Sequence, residues 1–236
     1  MEKIDYCNEH PECGIMLSNA SEPKEGMLMD EERYKSDDIE ESAVGESTHS
    51  ESYARKDDRR YTYSDYLEWD DDQRWELIDG VPFLMSAPSR WHQKILGNLH
   101  GLLFNYLKGK PCEVYPAPFD VRLNTDTLDN TVVQPDILVI CDSEKLDDAG
   151  CKGAPDFIIE ILSPSTYSRD KHLKFELYRK AGVKEYWIVE PDENMVSAHI
   201  LSNKDYIIRI YGEADAAPIS VLDNCTIDLA EVFLYE

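Results

Sequence analysis

"PDFIIEILSPST", residues 155–166, is apolar enough to read as a buried strand, yet it carries a carboxylate, Glu160, in its middle. A carboxylate in such a run is costly unless something accompanies it. Asp156, after Pro155, is the nearest acid. In an extended strand Asp156 and Glu160 share a face but lie roughly 13 Å apart, at about 3.3 Å per residue. Each oxygen of a shared Mg²⁺ site must approach to about 2.1 Å, so the two cannot serve one ion. Asp156 therefore reads as a polar residue at the strand entry.

Asp136, in "QPDILVI", is the better partner for Glu160. It lies 24 residues upstream in a second buried-looking strand. The intervening "CDSEKLDDAGCKGA" is polar and reads as a loop that returns the chain and sets the two strands side by side. Neighbouring strands are about 4.8 Å apart, so carboxylates on one face of them can converge on a cation. The alternative is that each acid sits at a strand end with its head in solvent. Glu76, in "WELIDG", is a third acid within an apolar stretch, with an edge-strand glutamate in solvent as its alternative. After Glu160, "SRDKHLKFELYRKAG" reads as a helix closed by Gly182, and it supplies Lys171 and Lys174. Asp170, Lys174 and Tyr178 fall on one face of it. Either Asp170 and Lys174 form an exposed pair worth a few tenths of a kcal/mol, or Asp170 orients Lys174 toward the acids.

The remaining chain predicts a mixed sheet with helices packed on it. Thr62 caps a short helix that turns Tyr63, Tyr66 and Leu67 inward. Asp79-Gly80 makes a tight hairpin turn. Ser89 caps a longer helix with an apolar stripe of Ile95, Leu96, Leu99, Leu102, Leu103 and Tyr106, ended by Gly109. "EVYPAPFDVRL", "TVVQPDILVICD" and "KEYWIVEP" read as strands, and "MVSAHIL", "YIIRIYG" and "TIDLAEVF" as two more strands and a short terminal element. The order is not the strict alternation of a doubly wound fold.

Charge narrows the function. The 236 residues hold 24 Lys and Arg against 48 Asp and Glu, a formal net charge of -24. Residues 1–60 hold 8 basic and 17 acidic residues, so the excess is not confined to the polar, Ser- and Glu-rich start, which reads as a disordered extension. An acidic domain argues against non-specific coating of nucleic acid; such a function would need a local basic strip or metal ions. The first residues have no signal-peptide pattern, and no apolar run nears the roughly 18–20 residues that span a bilayer. A cytoplasmic protein without membrane association is expected, with its six cysteines reduced. Cys7, His10 and Cys13 are zinc-ligand types, but a fourth ligand is not evident, and scattered thiols in a tail is the better reading.

"ELIDG", "PSRWHQ", "QPDILVI", "GAPDFIIEILSPST" and "RDKHLKFELYRKAGVKEYWIVEP" resemble, in this order, the bacterial putative restriction endonuclease domain family of the PD-(D/E)XK nuclease superfamily. The resemblance spans roughly residues 61–211. It implies a restriction-endonuclease-like α+β fold over residues 61–236, with a mixed central sheet flanked by helices. It implies catalysis by Asp136, Glu160, Lys174 and Glu76. Asp136, Glu160, Glu76 and the main-chain carbonyl of Ile161 would hold Mg²⁺, with Mn²⁺ as a substitute. DNA is the implied substrate, and a homodimer is a candidate assembly. The superfamily places a lysine two residues after the second acid, where this chain has Leu162; the resemblance implies that Lys174 has taken its place. His92 falls in the "PS..HQ" block, near the start of its helix, where capping or packing is the expected role.

Overall fold

The computed structural model describes residues 59–124, 129–163 and 172–234. Residues 1–58 of the expected disordered extension, with the Cys7, His10 and Cys13 group, and Asp170 and Lys171 lie outside them.

Two six-stranded sheets pack face to face, with a separate two-stranded ribbon. The chain enters through α1 (Tyr63–Leu67), where Thr62 and Asp65 form a reciprocal capping box. Only Tyr63 of the three expected inward residues is buried; Leu67 is 62% exposed, because a five-residue helix has room for little more than one inward position. The hairpin β1 (Trp75–Ile78) and β2 (Val81–Leu84) turns at Asp79 and Gly80, both at positive φ. Next comes α2 (Arg90–Leu107), capped by Ser89, whose Oγ accepts the His92 N–H.

Then β3 (Glu113–Pro116), β4 (Val121–Arg122), β5 (Val132–Val133) and β6 (Ile137–Ile140) follow, with β7 (Leu146–Asp147), β8 (Gly150–Lys152) and β9 (Phe157–Ile161) after them. Helix α3 (Lys174–Ala181) ends at Gly182 in the left-handed region and leads to β10 (Glu185–Glu190), β11 (Met195–Ser202) and β12 (Asp205–Gly212). A ribbon of β13 (Ala216–Pro218) and β14 (Thr226–Asp228) and a last helix, α4 (Leu229–Val232), complete the chain.

The central sheet has the order β12-β11-β10-β9-β6-β3, and the second sheet β2-β1-β5-β4-β8-β7. Where single strands were expected, the chain switches sheets. It leaves the central sheet between β3 and β4, past Pro118, and returns between β5 and β6 at Gln134-Pro135. It returns once more between β8 and β9, past Pro155. A proline gives the ladder no N–H, so each crossing costs it no donor. The segment "CDSEKLDDAGCKGA" is thus not the expected loop; it carries β7 and β8, whose edges a polar composition conceals.

Alternation sorts the central strands. Ile137, Val139, Phe157, Ile159, Ile161, Trp187 and Val189 pack beneath Ile95, Leu99, Leu103 and Leu107 of α2. On the other face Leu138, Ile158, Leu162 and Ile188 meet Val121, Val133 and Cys151 of the second sheet and Tyr178 of α3. Both faces of β6 and β9 are therefore buried. Contrary to the expectation of reduced cysteines, Cys112 and Cys141 form a disulfide flanking the paired strands β3 and β6, while Cys151 and Cys225 are buried thiols.

Gly150 has φ 123°, and a Cβ there would lie 2.2 Å from the Asp120 carbonyl oxygen. A Cβ on Gly101, within α2, meets nothing within 4 Å. Chemical denaturation should show Gly150→Ala destabilised by ~2 kcal/mol or more, through strain and clash. Gly101→Ala should gain about 0.5–1 kcal/mol.

Candidate active site

Asp136 and Glu160 meet because of strand register. In the antiparallel pair β6 and β9, Ile137 faces Ile159 and Leu138 faces Ile158. One step further, the same register sets Asp136 opposite Glu160. On its other side the Asp136 carbonyl accepts the Ala117 N–H at 2.9 Å, so the site is held at the end of a three-strand ladder.

Asp136 Oδ2 accepts two hydrogen bonds, from the Ile161 N–H at 2.8 Å and from His92 Nε2 at 3.2 Å. A carboxylate can only accept, so His92 carries its proton on Nε2. Both bonds fall on Oδ2; Oδ1 has no protein partner among the described residues. The N–H and C=O of a strand residue point the same way, so the Ile161 carbonyl faces the Asp136 side of β9 as its N–H does.

Glu160 is 3% exposed and looks toward the second sheet. Its Oε1 accepts from Lys174 Nζ at 2.8 Å and from the Tyr178 hydroxyl at 2.6 Å. From the second sheet, Glu76 of β1 approaches the same ammonium, Oε1 to Nζ 2.9 Å, and accepts the Gln134 N–H at 3.0 Å. Glu76 and Lys174 are fully buried, at 0% and 2% exposure. Burial, with the Glu160 and Glu76 carboxylates beside it, pushes the Tyr178 phenol far above its ordinary range, so it remains a donor.

Asp156 lies at the far end of β9 and belongs to a different contact. It is the polar residue at the strand entry that its sequence position suggested, and it is buried there, with Oδ1 2.6 Å from Lys184 Nζ and Oδ2 2.8 Å from the Cys141 N–H. Burial opposes its ionisation, but these hydrogen bonds outweigh it and hold the carboxyl below the usual carboxylate range.

A cavity of about 280 Å³ opens onto this centre. Asp136, Glu160, Ile161, Lys174 and His92 line it, with Arg74, Gln134 and the start of α2 on its rim. Sequence reasoning missed the tie of His92 to Asp136, although the residue stands in a quoted block, and missed Gln134 altogether. Tyr178 was legible only through its spacing from Lys174.

The donor set suits a hard divalent cation. Three carboxylates against one ammonium leave the centre net negative, and Mg²⁺ takes one or two carboxylates while keeping several waters. Among the described residues no three His, Cys, Asp or Glu side chains gather into a metal cage of their own. Glu76 faces Lys174 across from Glu160; the oxygens that could hold an ion are those of Asp136, Glu160 and the Ile161 carbonyl.

Residues 63–230 match the Uma2 family, described as putative restriction endonucleases. An uncharacterised protein, slr1290, from Synechocystis sp. is 29% identical over 155 residues, covering 64% of this chain and 80% of its own. A solved structure from Anabaena variabilis, described as a putative nuclease belonging to DUF820, has the same fold. It aligns with a TM-score of 0.61 at 18% identity, covering 73% of this chain and 97% of its own.

Two measurements check this geometry. Lys174→Met strands two buried carboxylates and should cost about 3–5 kcal/mol on denaturant unfolding. Adding Glu76→Gln should restore part of that loss; strictly additive losses would contradict the coupling. Asp156 stabilises the fold above the unfolded carboxylate pKa of about 3.9, and that contribution is lost as pH falls through its depressed folded value. Asp156→Asn should therefore destabilise the protein more at pH 7 than at pH 3.

Proposed function

Because the chain belongs to the Uma2 family of putative restriction endonucleases, we propose that it hydrolyses phosphodiester bonds of DNA at the Asp136–Glu160 centre. The nuclease domain would be residues 61–236, with residues 1–60 an acidic extension. The observation that carries the reading is the cross-strand pairing of these two carboxylates, with a buried lysine reaching Glu160 from α3.

Asp136, Glu160 and the Ile161 carbonyl would hold Mg²⁺, or Mn²⁺ in its place. When bound, the ion supplies positive charge against the scissile phosphate and makes water more acidic. That charge offsets the overall acidity of the chain where the substrate's own charge is greatest. Lys174 presents its ammonium from between Glu76 and Glu160, where it steadies the attacking water and the charge that grows on the phosphate oxygens. His92 and the Ile161 N–H fix the rotamer of Asp136, and the Tyr178 hydroxyl fixes Glu160. Glu76 acts through Lys174, by setting where its ammonium lies.

A second reading, a nuclease-fold protein that binds without cutting, has two observations in its favour. The ammonium is tied to two carboxylates, and the position two residues after Glu160 is Leu162.

Cleavage of plasmid DNA in Mg²⁺ and in Mn²⁺ separates the two. The nuclease reading expects nicked or linear product, reduced about 10²-fold or more by Asp136→Ala. Activity unchanged by that substitution would sink the site assignment. Duplex bound but uncut in either ion would favour the binding protein.

A further inference from the structure

Among the described residues two cationic side chains, Arg74 and Lys174, line the cavity, and only one is used by the acidic centre. Lys174 is spent on Glu76 and Glu160; Arg74 is not. Arg74 immediately precedes β1 and shares the alternation of Glu76 and Ile78, so it looks toward the central sheet. Its Nε and Nη2 both donate to Gln134 Oε1, at 3.2 and 2.8 Å. Among the described residues no carboxylate salt-bridges it, although the Asp120 charge is felt across the shared glutamine.

Gln134 has little freedom to release the guanidinium. It is 7% exposed, its Nε2 donates to Asp120 Oδ1 at 2.8 Å and to the Tyr66 hydroxyl at 3.1 Å, and its backbone N–H bonds Glu76. An amide oxygen fixes a guanidinium without neutralising it. The outcome is a full positive charge, oriented in advance, at the rim of a cavity whose floor is acidic. A guanidinium fork matches the paired oxygens of a phosphate.

We propose that Arg74 forms a second anion subsite, which takes the non-bridging oxygens of a phosphate neighbouring the one cleaved. It gives a chain of net charge -24 a local positive contact that its overall acidity otherwise denies it. The subsite rests on the reading of the cavity as a nucleic-acid site.

The test is equilibrium binding of a short fluorescent DNA duplex to the full chain across a salt series, read by anisotropy. The parent carries Asp136→Asn, so that the duplex stays uncut. Arg74→Ala should weaken binding about tenfold and shift the slope of log affinity against log salt by about one contact. Arg74→Lys keeps the charge and should keep the slope, losing only part of the affinity. Arg209→Ala, an exposed position on β12, should change neither. Circular dichroism and melting of each variant confirm that the fold survives, and the lysine variant reads the same contact if the alanine variant unfolds. An Arg74→Ala slope equal to that of the parent overturns the subsite and leaves the nuclease reading standing. A parent that binds no duplex at any salt concentration overturns both.

Discussion

A buried ammonium between two buried carboxylates is the constraint on which the rest depends. Lys174 comes from α3, Glu160 from the central sheet and Glu76 from the second sheet, so one charge ties three layers at 2.8 and 2.9 Å. Removing such groups from water is expensive, and their attraction repays the cost only when the geometry is good and the remaining oxygens are bonded. Here the Tyr178 hydroxyl and the Gln134 N–H each add a donor to the oxygen that already meets the ammonium, Glu160 Oε1 and Glu76 Oε1. A hydrophobic triad could hold the layers as firmly. The ion triad has a property that a hydrophobic one lacks, which is a fixed charge pattern at the floor of a cavity.

The pattern is placed by backbone, not by the charged side chains. Asp136 follows Pro135, the residue at which the chain passes from the second sheet to the central one. That crossing puts Gln134 against Glu76 on one side and Asp136 opposite Glu160 on the other. A slip of one residue in β9 would turn Glu160 to the α2 face, among Ile95 and Leu99. Alternating apolar residues on both faces of these strands oppose any such slip.

Much of this was legible in advance, and each failure has a physical cause. The Ser89-capped helix, the Gly182 end of the helix after Glu160, the Asp79-Gly80 hairpin and the pairing of the "QPDILVI" strand with the "PDFIIEIL" strand all follow from local chemistry or from period. The separation of Asp156 from Glu160 follows from a distance. The second sheet did not follow, because its strands β4, β5 and β7 have two residues each, too short for an alternation to register. Gln134 was invisible for the same reason: its partners Arg74, Tyr66 and Asp120 are brought together only by tertiary folding. Asp156 showed a buried role only once Lys184 and the Cys141 N–H were found beside it. The Cys112–Cys141 bond was missed because thiol pairing was judged from expected compartment, not from strand adjacency.

The account turns on Glu160 and Asp136 forming a cation site from which Asp156 is excluded. Calorimetric titration of the full chain with Mn²⁺, repeated with Mg²⁺, tests this most directly, comparing the unaltered protein with Glu160→Gln and Asp156→Asn. The account predicts one divalent-ion site in the unaltered protein, retained in Asp156→Asn and lost in Glu160→Gln. Ion binding that Glu160→Gln leaves intact, or none in the unaltered protein, would contradict it.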